Sequence, residues 1–161
     1  MSDTATKGAE KDEIKPLNEV VRKLIFQQNN DVGNANRFEI SLEEGDQKLI
    51  YVIERKEWHY WNGTRWVADK GNAKVTRLFI GMLHRLIAEV KKADWRHFHK
   101  TDERAANGHR RGTLQYLKGS LNRGKIMSAI DMATNWKSFR ISSSELDTDP
   151  WIVSCANGDL H

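Results

Sequence analysis

The residues best suited to chemistry lie between Arg96 and Lys125. Gly119-Ser120-Leu121-Asn122-Arg123-Gly124-Lys125-Ile126 carries the glycine and lysine spacing of a phosphate-binding loop. Such a loop follows a buried strand, and a Ser or Thr after its lysine holds magnesium. Here Ile126 takes that place, and Tyr116-Leu117-Lys118 before it sits in a helical context. The segment therefore reads as the basic start of a helix, with Arg123 and Lys125 facing solvent or a phosphate backbone. His97 and His99, with His109 nearby, have the short spacing of zinc ligands. They lack a fixed cysteine or carboxylate partner, and the cations around them repel a dication. Cys155 is the single cysteine; it permits no internal disulfide and reads as a small packed residue. Glu43-Glu44 and the Asp147/Asp149 pair fall among turn formers, where capping and solvated roles outweigh acid–base work. No catalytic residue, metal or bound cofactor is expected.

Charge is the stronger signal. The formal charge is only +4, but Arg96, Lys100, Arg104, Arg110, Arg111, Lys118, Arg123 and Lys125 are opposed in that stretch only by Asp102 and Glu103. A local concentration of this kind is the footprint of a polyanion partner, an acidic protein surface being the competitor. Arg96, Lys100, Arg104, Arg110, Arg111, Arg123 and Lys125 are the candidate phosphate contacts, in a sequence-independent mode that weakens with salt; a merely solvated face is the alternative. Trp61 and Trp66 are a candidate stacking platform for single-stranded bases, although aromatic rings more often serve core packing.

The elements that must position these residues follow from periodicity. Residues 1–15 are polar and lack an apolar run, so they read as a disordered tail and not a signal peptide. From Leu17, with Pro16 tolerated in a first turn, Val20, Val21, Leu24 and Ile25 predict a helix ending near Asn29–Asn30. Turn formers after Asp31 lead into a possible short second helix. Leu49–Ile53, Trp58–Trp61 and Thr64–Val67 have strand character and predict a three-stranded antiparallel meander. Asn62-Gly63 predicts a two-residue hairpin loop that pairs Trp61 with Thr64 and His59 with Trp66. A tight turn at Arg55-Lys56 places Tyr51 and Ile53 on the face of Trp58 and Tyr60. Asn72 is the expected N-cap of the clearest helix, carried by Val75, Leu78, Phe79, Met82, Leu83, Leu86, Ile87 and Val90. Trp95–Gly112 has little periodicity and reads as a solvated helix or a loop. Ile126, Ala129, Ile130 and Ala133 predict a further helix ending before Trp136, and Arg140–His161 an irregular or extended tail with turns at Asp149-Pro150 and Asn157-Gly158.

These elements make an α+β single domain, a small meander packed with about four or more helices, over residues 16–161. The 161 residues suit one core. With 39% hydrophobic residues, 30% charged ones and no membrane-length apolar run, a soluble cytoplasmic chain is expected.

Three segments, taken in order, resemble one family. Asp31-Val32-Gly33-Asn34-Ala35-Asn36-Arg37-Phe38 is similar to its D-x-G-N-A-x-R-F motif. Trp58 through Trp61-Asn62-Gly63 to Arg65-Trp66 is similar to its W-x-x-W-x-G-x-R-W hairpin, and Leu146-Asp147-Thr148-Asp149-Pro150-Trp151-Ile152-Val153 with Asn157-Gly158 to its closing L-D-x-D-P-W motif. The family is the N-terminal domain of poxvirus- and phage-type primase-helicases, which lies upstream of a superfamily-three helicase motor. The resemblance implies a non-catalytic collar or linker of a phage or mobile-element DNA-replication protein that guides single-stranded or forked DNA to the motor. ATP and magnesium would then belong to a motor in the same parent chain, downstream of Gly158, with this chain an excised piece and His161 part of a tag. Homo-oligomerisation is a further expectation. The competing expectations are an interaction or oligomerisation module without direct DNA contact, and a small metal- or nucleotide-dependent enzyme.

Overall fold

A computed structural model describes residues 17–146 and the two strands Val153–Cys155 and Gly158–Leu160. The expected tail at 1–15, Pro16, the Asp147–Ile152 part of the closing motif, Asn157 and His161 lie outside the described residues.

Helix α1 spans Glu19–Phe26, begun by Asn18, whose side chain accepts from the Val20 and Val21 N–H groups. It stops short of the expected Asn29–Asn30 because Gln27 turns extended, which leaves the carbonyls of Leu24, Gln27 and Gln28 to a side chain from the next helix. That helix, α2, runs Asp31–Glu44 behind the Asn30 cap and is much longer than the short run expected. Its buried face includes Asn34 and Arg37 beside Phe38 and Leu42; the polar pair concealed the helical period. Gly33 is required where α2 meets the chain leaving α1, since a Cβ there would stand 1.9 Å from the Gln28 carbonyl oxygen.

The sheet corrects the three-stranded antiparallel meander. Strands β1 (Leu49–Val52), β2 (Glu57–Trp61), β3 (Trp66–Ala68) and β4 (Arg140–Ile141) are ordered β3-β2-β1-β4, with β4 parallel to β1. The N–H groups of Tyr51 and Ile53 on the β1 edge donate to the carbonyls of Phe139 and Ile141. Two residues are too few to show a period of two, so this strand was silent in sequence.

The hairpin register also moves. Trp61 pairs with Trp66 and His59 with Ala68, leaving Asn62–Arg65 as the loop. Asn62 keeps a negative φ, while its Oδ1 accepts from the N–H of Thr64 and of Arg65 and from the Thr64 hydroxyl. Its side chain thus builds an Asx-type turn in place of the two-residue type I′ loop. The slip is two residues, so no side chain changes face. Tyr51 lies opposite Trp58, again two residues from the expected pairing and on the expected face.

Helix α3, Ala73–Lys92, is the central helix and buries Val75, Phe79, Met82, Leu83, Leu86, Ile87 and Val90 as the sequence predicts. Its start differs. Asn72 is left-handed (φ 58°) and makes no side-chain cap, whereas the buried Asp69 carboxylate accepts from the N–H of Lys74 and of Val75, each at 2.8 Å. Helices α4, Glu103–Gly119, and α5, Arg123–Ala133, complete the helical layer. α4 packs on α3, and α5 on α2 and α3. Trp58 is the largest fully buried side chain and meets Phe139 and Tyr51 edge-on at 5.4 Å each, while Phe38 packs on Phe79 at 5.2 Å. After β4, the Glu54 carboxylate accepts from the Ser143 N–H and the Ser142 hydroxyl, and the Ser143 N–H above all lowers its pKa. Strands β5 (Val153–Cys155) and β6 (Gly158–Leu160) pair antiparallel, Cys155 opposite Gly158.

Candidate nucleic-acid interface

The stretch with little periodicity is helical in its larger part. Trp95–His97 form one 3₁₀ turn in which buried Trp95 donates its indole N–H to the Val90 carbonyl. Asp102 then caps α4 by accepting from the Ala105 N–H. α4 buries Ala106, Thr113 and Leu117, and half-buried His109 meets Trp95 edge-on at 4.8 Å. Small and polar residues do the inward packing, which is why an apolar pattern was faint. The outward side carries Arg104, Gly108, Arg111, Gln115 and Lys118, all exposed. Spacings of three and four keep these five on one stripe.

The seven candidate cations do not form one cluster. Arg96 is held by its neighbour: its Nε and Nη2 donate to the two oxygens of Asp94, Nη2 at 2.6 Å. Arg110 turns along the body and donates to the Lys91 carbonyl at 2.6 Å, in the last turn of α3. Lys125 stands over the Tyr116 ring at 5.5 Å. Lys100 and Arg123 are exposed, Arg123 as the first residue of α5. Arg104 and Arg111 share a concavity with Glu103, Asn107 and Gly108. Neither makes a hydrogen bond or an ion pair among the described residues, and the same holds for Lys118. At 1.5 Å per residue, Arg104 and Arg123 stand at opposite ends of a helix about 25 Å long. Sequence reasoning passed over Lys118, Asn107 and Gly108. The detectable signal was the seven-residue interval of Arg104, Arg111 and Lys118, which two helical turns align.

Trp61 and Trp66 lie on the sheet face opposite Trp58 and outside the main core, ring against ring edge-on at 5.5 Å. Trp61 is 37% exposed, and Trp66 is half-buried.

Behind α4 is a buried polar hub made of motif residues. The Arg37 guanidinium donates to the carbonyls of Leu24, Gln27 and Gln28 and to the side-chain oxygens of Asn29 and Asn34. Asn34 donates to the Tyr116 hydroxyl at 3.1 Å and the Ser120 hydroxyl at 3.0 Å, and Trp136 donates its indole N–H to Asn36. Burial pulls the Arg37 pKa from 12.5 to about 10, with the Tyr116 phenol opposing the shift; burial likewise raises Tyr116. The D-x-G-N-A-x-R-F segment is therefore a brace joining α1, α2 and α4.

The near-match to a phosphate loop spans the end of α4, the buried Ser120 and the Asn122 cap of α5. A helix precedes it, and the Ser120 hydroxyl donates to the Tyr116 carbonyl. His99 and His109 approach to 3.4 Å, and burial, followed by the nearby His99, lowers the His109 pKa. The His97 side chain is outside the described residues. Among the described residues no group of three His, Cys, Asp or Glu side chains forms a metal site, and no helix is long and apolar enough to cross a membrane.

A family model described as D5 N terminal like matches residues 35–161. The span begins inside α2, just after Asn34, and includes the tryptophan hairpin and the closing segment. No curated protein and no solved structure matches the chain.

Proposed function

The chain belongs to the D5 N-terminal-like family, which associates it with replicative helicases and primases as an accessory domain, and from this premise we propose that it is a DNA-handling and coupling module. On this reading it holds the phosphate backbone of single-stranded or forked DNA on the outward side of α4 and delivers the strand to an ATPase motor of the same parent protein. ATP and magnesium belong to that motor.

The supporting observation is the unpartnered stripe Arg104, Arg111 and Lys118, displayed by a helix whose inner side is packed on α3 and braced to α2. Of the other candidates, Lys100 and Arg123 extend the positive field, whereas Arg96 and Arg110 serve the fold. Anisotropy titrations of labelled single-stranded and forked DNA across salt concentrations test the proposal. The expected result is salt-dependent binding whose log–log slope shrinks by about 0.7–0.9 for each of Arg104, Arg111 and Lys118 replaced by alanine. Binding that ignores both salt and these replacements would sink it.

A second reading, an interaction or oligomerisation module without DNA contact, is favoured by exposed Trp61 and Ile53 at the end of the sheet. Light scattering separates the two: assembly that Trp61→Ser abolishes, without DNA binding, supports the second.

A further inference from the structure

Gly108 has no evident reason to be glycine. It lies within α4, where glycine is among the poorest helix formers, and its φ is not positive. A Cβ built on it would meet nothing within 4 Å, so neither a neighbouring helix nor its own turn excludes a side chain. Its missing Cβ opens instead to solvent, into the concavity that Glu103, Arg104, Asn107 and Arg111 also line. The two arginines lie four residues before it and three after, so both guanidinium groups flank bare backbone. Neither has a partner among the described residues, which is unusual for planar forks suited to bidentate anion contacts.

We infer that Arg104 and Arg111 are the two arms of a cradle for one internal phosphodiester group of a DNA strand, with Gly108 as its floor and the Asn107 amide as a further donor. The inference rests on the DNA-handling reading above and assigns its central contact. Charge selects the ligand. Two guanidinium groups and the Glu103 carboxylate leave one net positive charge, the match for a singly charged diester and not for a doubly charged terminal phosphate. Glu103 has a place of its own in the first turn of α4, where the helix dipole favours a carboxylate. Lys118 lies seven residues, about 10 Å, beyond Arg111, in line for a later phosphate of the same strand. Phosphates therefore run along the helix axis and not across it.

The test uses the full chain, a fluorescein-labelled single strand, and the variants Gly108→Ala and Gly108→Leu, which alter no charge. Gly108→Ala is expected to raise the melting temperature by favouring the helix while weakening DNA binding. Gly108→Leu fills the floor and is expected to weaken binding about ten- to hundredfold, the share of charge-assisted hydrogen bonds. Its salt slope should fall by roughly 0.7, one phosphate on a single strand, although no cation has been removed. Equal affinity for the strand with and without a 5′-phosphate is expected. Circular dichroism melting shows that each variant is folded, and Arg104→Ala with Arg111→Ala gives the loss without touching the floor. Salt-dependent wild-type binding unaffected by Gly108→Leu overturns the cradle and leaves the wider reading standing. Absence of salt-dependent binding by the wild-type chain overturns both. A polyglutamate peptide that binds as tightly, with the same sensitivity to Gly108→Leu, makes the occupant an acidic protein and overturns the assignment to DNA.

Discussion

At the scale of single residues, the most demanding group is Arg37. A fully buried guanidinium is costly to desolvate, and here five hydrogen bonds offset that cost. With its pKa at about 10 it stays charged at neutrality. Arg37→Met strands three carbonyls and two amide oxygens in the interior; a loss of about 3–5 kcal/mol is expected in urea denaturation. Lysine cannot rescue it, having three donors on a point charge in place of five in a plane. His109 sets a pH response. Its folded pKa lies below the ordinary value, so the unfolded chain binds the proton more readily. Stability from this residue is complete above the unfolded value of 6.5 and declines as the pH falls from there through the folded pKa. Denaturation midpoints measured from neutral to mildly acidic pH should show that decline, and His109→Gln should flatten it. None of this chemistry was legible in sequence. The string around Arg37 was visible as a motif, but its partners are carbonyls 9 to 13 residues upstream and, through Asn34, hydroxyls 82 and 86 residues downstream.

At the scale of elements, what could be read depended on how apolar each buried face was. α3 was legible because its inward positions are aliphatic or aromatic, and α5 because Ile126, Ala129, Ile130 and Ala133 mark its face. α2 and α4 hide Asn34, Arg37, His109 and Thr113 on theirs, so the same geometry left no hydrophobic trace. The cap of α3 was misplaced for another reason. The Lys70–Asn72 3₁₀ turn intervenes, and the carboxylate reaches back from Asp69, five residues before Lys74. Asp69→Ala should cost about 1–2 kcal/mol, as the loss of a strong N-cap does, read by thermal melting; Asp69→Asn should recover part of it. Gly81, on the exposed side of α3, has open space around a Cβ, and Gly81→Ala should stabilise the chain by about 1 kcal/mol. Gly33→Ala is the opposite case. Its Cβ has to displace the Gln28 carbonyl, and a loss of about 3 kcal/mol or more is expected in the same melt.

At the scale of the molecule, the α+β class and single core were legible, and the fourth, parallel strand was not, because two residues from the far end of the chain complete the sheet. Of the basic stretch, the sequence showed its density but not its division: only the fold separates Arg96 and Arg110, engaged with Asp94 and Lys91, from Arg104 and Arg111, which share one surface. The strongest global check is a comparison of charge reversals. Arg104→Glu with Arg111→Glu should abolish DNA binding at moderate salt and leave the melting temperature nearly unchanged, whereas Arg110→Glu should lower the melting temperature by freeing the end of α3. Because α4 is joined to α3 near its middle by Arg110 and to α2 near its end by Tyr116 and Ser120, it is built as a strut. A strand hauled lengthwise along it by a motor loads these attachments in shear, together, and not one after another by peeling. The helix can then serve as a stator against which translocation force is resisted.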